Sequence, residues 1–144
     1  MTRLSRSIVA AALVLTAAAC GSSSPSNPSP AFSLSGNWTG TWQYVTAGAT
    51  ITDTVMATLG QTNSTASGPW TASSGASGQL SLSVASSATG TISINLTLIS
   101  SCSSGSIAIT GTETATTIDF TLAPIPTNGG CVWPTGNHFV LTKQ

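Results

Sequence analysis

The sequence predicts an all-β domain, an antiparallel up-and-down barrel of eight strands, with a β-sandwich as the alternative architecture. Three observations carry this. Apolar and hydroxyl-bearing residues alternate at the period of two that a half-buried strand requires. Gly, Ser, Asn and Pro cluster between the alternating segments, and no stretch shows a helical period with caps. Charged residues make up 4% of the chain, against about 25% in ordinary soluble proteins. An open sheet would therefore have few charges to protect its two edges, whereas a closed one has no edges.

The strands follow in order. Trp38, Trp42 and Tyr44 open the series, then come Ile51, Val55 and Leu59, and a third segment ends at Trp70. Leu80, Leu82 and Val84 enclose Ser81 and Ser83, and Ile92, Ile94, Leu96 and Leu98 repeat the scheme around Ser93, Asn95 and Thr97. Ile107 and Ile109, then Ile118, Phe120 and Leu122, then Phe139 and Leu141 complete it. A membrane-spanning barrel is disfavoured, since the segments run nearer about seven residues than the nine to eleven that a spanning strand needs. The aromatic residues also form no pair of girdles.

Residues 1–19 read as an export signal: Arg3 and Arg6 precede an uncharged run, Ile8 to Ala19, that is too short to cross a bilayer. Residues 20–32 read as a tether, because Gly21 to Pro30 holds only Gly, Ser, Asn and Pro. Such a composition buries too little apolar surface to offset the entropy of ordering it. Residues 33–144 form the barrel domain, long enough for one modest core. Once Arg3 and Arg6 are removed, Lys143 stands against Asp53, Glu113 and Asp119. There is no basic patch, and nucleic acid is excluded as a partner.

Ala17, Ala18 and Ala19 ahead of Cys20 and Gly21 resemble the lipobox of bacterial lipoproteins, with Ala17 where that family usually has Leu. The resemblance implies lipidation of Cys20, anchoring in the cell envelope, and retention in the outer membrane if the cell has one. Cleavage after Ala19 by an ordinary signal peptidase, giving a secreted protein, is the alternative. The stretch "SLSGNWTGTW" places Gly36 and Trp38 in the Gly-x-Trp arrangement that opens the first strand of lipocalins and similar calycin barrels. This resemblance implies the same eight-stranded barrel. It departs from the family in lacking an arginine on the last strand to pack over the tryptophan, Lys143 being the one basic residue nearby.

Cys102 and Cys131 lie in loop-like contexts and, in an exported protein, are expected to form a disulfide. Closing about 30 residues stabilises a fold by about 3.6 kcal/mol in the chain-entropy model. His138 is the single histidine and no metal-ligand spacing occurs, so neither a metal nor another cofactor is expected. Catalysis is poorly supplied. Glu113 reads as a solvated turn carboxylate and Asp119 as an outward strand residue, on opposite faces of a hairpin, so they do not converge as an acid and base pair. The Asn-x-Ser/Thr triplets at Asn37, Asn63 and Asn95 are expected to carry nothing.

The remaining expectation is a non-enzymatic binding module for a small apolar ligand, held by Trp38, Trp42, Tyr44, Asp53, Trp70 and Trp133. Ordinary core packing competes for Trp38, which would close one barrel end. Trp133, in a loop, is the candidate for an exposed contact, and Asp53 falls in phase with Ile51 and Val55 and so points inward. The competing class is a structural or adhesive surface protein, facing an envelope partner, with a side-chain-filled barrel and no ligand.

Overall fold

The computed structural model describes residues 32–85, 87–96, 102–125 and 130–144. The expected export signal, Cys20, nearly all of the expected tether and Leu98 lie outside the described residues. Ten strands form one sheet with no helix among the described residues: β1 (Gly36–Thr46), β2 (Ala49–Thr62), β3 (Thr65–Ala72), β4 (Ser77–Ser83), β5 (Ser87–Ile92), β6 (Asn95–Leu96), β7 (Cys102–Ser103), β8 (Ile107–Glu113), β9 (Thr117–Leu122) and β10 (Thr135–Lys143). Each of the eight larger strands pairs antiparallel with its sequence neighbours. The ring closes through β1 with β10, in the register Trp42↔Phe139. The expected up-and-down barrel is therefore the observed fold, and β6 and β7 hang from β4 through Ser77↔Asn95.

Alternation sets the two faces. Along β2, Asp53, Val55, Ala57 and Leu59 point inward and are buried, while Thr52, Thr54, Met56 and Thr58 are exposed. On the outer wall, Thr41 pairs with Thr54, and Thr110 sits between Thr89 and Thr121. An apolar interior with a hydroxyl-bearing exterior is the reverse of a membrane-spanning barrel. Strand lengths are less uniform than the alternation suggested: β1 and β2 have 11 and 14 residues. Ile51, in phase with the core, is 36% exposed near the start of β2.

The fifth strand differs from the one expected over Ile92 to Leu98, for it comes earlier and ends at Ile92. The alternation persists beyond that point but the hydrogen bonds change partner. Ser93 still donates its N–H to the Gln79 carbonyl, whereas the Ile94 N–H turns to the Ser104 hydroxyl and Ile94 O accepts the Ser104 N–H. Leu96 then pairs with Cys102. Side-chain periodicity cannot reveal such a change of backbone partner.

The disulfide Cys102–Cys131 forms as expected, with Cα atoms 6.0 Å apart, and joins the β5 to β8 connection to the β9 to β10 loop. Both lie at the end where β1 finishes, hereafter the disulfide end. The opposite, N-terminal end gathers Leu34, Trp38 and the turns after β2, β4 and β8. There the Trp38 Nε1–H donates to Leu34 O at 2.9 Å, and Lys143 places Nζ 5.7 Å over the indole while donating to Ser33 O.

Two interior positions show how tightly the wall curls. A Cβ at Gly40 would fall on the Val140 carbonyl oxygen, and one at Gly111 on the Asp119 carbonyl oxygen. Glycine in a strand marks this sort of bend, where a neighbouring backbone approaches too closely for any side chain. Gly111→Ala is expected to destabilise the domain by about 1–3 kcal/mol, the range for overpacking. Urea unfolding of the two proteins side by side measures it.

Candidate functional site

The register of three adjacent strands builds an aromatic stack across the barrel. Trp42 on β1 faces Phe139 on β10, and Phe139 faces Phe120 on β9. Their rings lie nearly parallel, with centroids 5.4 Å and 5.0 Å apart. Trp70 on β3 stands nearly perpendicular to both Trp42, with ring centroids 5.8 Å apart, and Phe139, at 5.4 Å. All four are buried, and such pairs add about 0.5–1.5 kcal/mol each beyond area burial. Trp42 and Trp70 thus fill the barrel.

Toward the disulfide end the stack meets polar groups. Tyr44, half-buried, lies 4.3 Å from Trp42 and donates its hydroxyl to Asp53 Oδ2 at 3.2 Å. Asp53 is 7% exposed and points inward, and its Oδ1 accepts the Ser73 hydroxyl, which itself accepts the Thr54 N–H. Both carboxylate oxygens are occupied. Burial pushes the Tyr44 phenol above its ordinary 10.0, aided by the charge of Asp53 and by the hydrogen bond to it, while Ser74 opposes the rise. The Trp42 Nε1–H donates to Asn137 Oδ1, and Asn137 Nδ2 donates to Pro134 O. This buried amide links the stack to the loop before β10.

That loop carries Trp133, which corrects one expectation: it is not an exposed contact but 8% exposed, packed with the core. The residues on either side explain this, since Cys131 is bound to Cys102 and Pro134 O is held by Asn137. Trp133 lines a depression of about 230 Å³ with Leu122, Pro124, Ile125, Pro134 and Thr135. The structure therefore brings together Trp42, Tyr44, Asp53 and Trp70. Trp133 stands at the rim, and Trp38 closes the other end.

Two acidic residues behave differently from each other. Asp119 is outward as expected, and its Oδ1 lies 2.7 Å from His138 Nε2, both side chains partly exposed on the outer wall. Such a surface pair contributes little to stability, a median of about 0–1 kcal/mol. The nearby Thr121 hydroxyl is directed to Thr110 O. Sequence reading missed this pair because it depends on the β9 to β10 register, His138↔Thr121 and Val140↔Asp119. Glu113 is the second correction. It is not a solvated turn carboxylate but 4% exposed, inside the N-terminal end. Its phase with Ile107 and Ile109 was the signal, outweighed in the reading by the turn that follows.

Among the described residues no three His, Cys, Asp or Glu side chains gather as metal ligands. Fold and site together define a closed antiparallel eight-stranded barrel with an aromatic interior and a small apolar depression at its disulfide end. No family model matches this chain, and no match was found among curated proteins or solved structures.

Tyr44 is the one tyrosine of the chain, so its phenolate absorbance reports a single group. In alkaline titration it is expected to ionise above 10.0 in the wild type and at lower pH in Asp53→Asn, where the charge is gone and burial remains.

Proposed function

We propose that this chain is a lipid-anchored protein of the bacterial cell envelope and a non-enzymatic binding module for a small apolar molecule. The observation that carries the ligand reading is the depression under Trp133, apolar and braced by the disulfide loop. Its volume of about 230 Å³ suits a ligand smaller than the usual drug-sized occupant of 300–1,000 Å³. On this reading the ligand sits at the barrel's rim, since the aromatic stack occupies the axis. The anchor reading rests on Ala17 to Gly21, and Gly21 after the cysteine favours the outer membrane if the cell has one. A lipocalin-like ancestry gains support from Trp38, since Lys143 lies over its indole where those barrels often use arginine.

A second reading has its own observation. The stack of Trp42, Phe139 and Phe120 with Trp70 favours a side-chain-filled barrel that bears no ligand and serves as a structural or adhesive surface for an envelope partner.

Two measurements test these readings. The mature N-terminus is expected to begin at Cys20 and to carry the mass of its acyl chains; a free thiol at that residue defeats the anchor. The neutral fluorescent probe N-phenyl-1-naphthylamine is expected to bind the domain, and Trp133→Ala to weaken binding by about tenfold, equivalent to about 1.4 kcal/mol. No binding by the wild type, with no small molecule retained in native mass spectrometry, decides for the second reading, a barrel that bears no ligand.

A further inference from the structure

Glu113 ends β8 in phase with Ile107 and Ile109, which carries its side chain inside the N-terminal end. Oε1 accepts the Ala85 N–H at 2.6 Å, while Oε2 is buried with no hydrogen-bond partner among the described residues. Ala85 belongs to the turn after β4, and its neighbour Val84 donates its N–H to Ser64 O in the turn after β2. Glu113 thus holds the turn after β4 to β8, and that turn is itself bonded to the turn after β2. A carboxyl with one oxygen unpartnered tolerates burial far better neutral than ionised, because the charged form loses much more hydration.

We infer that Glu113 is a proton-operated latch: with the proton on, the carboxyl stays inside and holds the turn after β4 through Ala85, and without it the carboxylate swings to water and releases that turn. Among the described residues no countercharge faces it to compensate for ionisation in place. β4 and β5 carry no ionisable residue. On β9, Asp119 lies on the outer wall with His138 of β10, and Lys143 of β10 is engaged with Ser33 O. The exposed C-terminal Gln144 is bound through its N–H to Asn37 O of β1.

Burial pushes the Glu113 carboxyl above its ordinary 4.5, and the Ala85 N–H works against that rise. The unfolded chain loses this proton near 4.5 and the folded chain holds it to higher pH. The contribution to stability is therefore complete below the unfolded value and is lost as pH rises through the folded one.

Glu113 is the only glutamate in the chain, so a carboxyl-13C glutamate label gives one side-chain carboxyl resonance in the unsubstituted chain. Its titration midpoint is expected above 4.5. The Ala85 amide resonance is expected to move with the same midpoint, and its protection factor to fall by about tenfold or more. In Glu113→Gln, Ala85 is expected to keep a constant protection factor across that range. A midpoint at or below 4.5, or an Ala85 amide that stays protected while Glu113 titrates, overturns the latch. The labelled wild type decides the matter even if the variant does not fold.

Discussion

An eight-stranded sheet that closes on itself has no edge, and the pairing of β1 with β10 is the constraint from which the other features follow. Closure at this strand number leaves an interior just wide enough for side chains or one small ligand. In this barrel the width is taken up by flat rings stacked from one wall to the next, Trp42 to Phe139 to Phe120. The same curvature drives backbones together, so that at Gly40 and Gly111 the neighbouring strand occupies the space of a side chain. Ring stacking and glycine bends are two results of one geometry: large groups fill the axis where small ones permit the bend.

Polar groups inside such a barrel have to be satisfied by the barrel, and the two ends do so unequally. At the disulfide end Asp53 engages Tyr44 and Ser73, while Asn137 serves both Trp42 and Pro134. Each of these links ties a strand to its neighbour or to a loop. At the N-terminal end Glu113 has one partner for two oxygens. Buried polar groups with full partners specify a single arrangement, whereas a half-satisfied one is where an alternative arrangement is nearest in energy.

The wall of the barrel was largely legible in the alternation, because a closed sheet with one dry face imposes a strict period of two. Asp53 and Glu113 both carried that phase, and the inward reading succeeded for Asp53 while the turn after Glu113 obscured it there. Past Ile92 the apolar residues keep alternating although the backbone has left its partner, so Ile94 and Leu96 looked like a continuing strand. The burial of Trp133 depends on where the disulfide and Asn137 hold its loop, and the His138 to Asp119 pair on which residues face each other across a hairpin. Those are facts of three-dimensional register, and local composition does not contain them.

The outer wall has a consequence for the protein as a solute. Its strands expose threonine and serine, and the domain has few ionised groups, among them Lys143 and an aspartate already beside a histidine. Hydration rests on neutral hydroxyls, and long-range repulsion between copies is weak. Screening by salt acts on charge, with a Debye length of about 8 Å at physiological ionic strength, and finds little here to act on. The solubility of the barrel and the contacts between its copies should therefore change little with ionic strength.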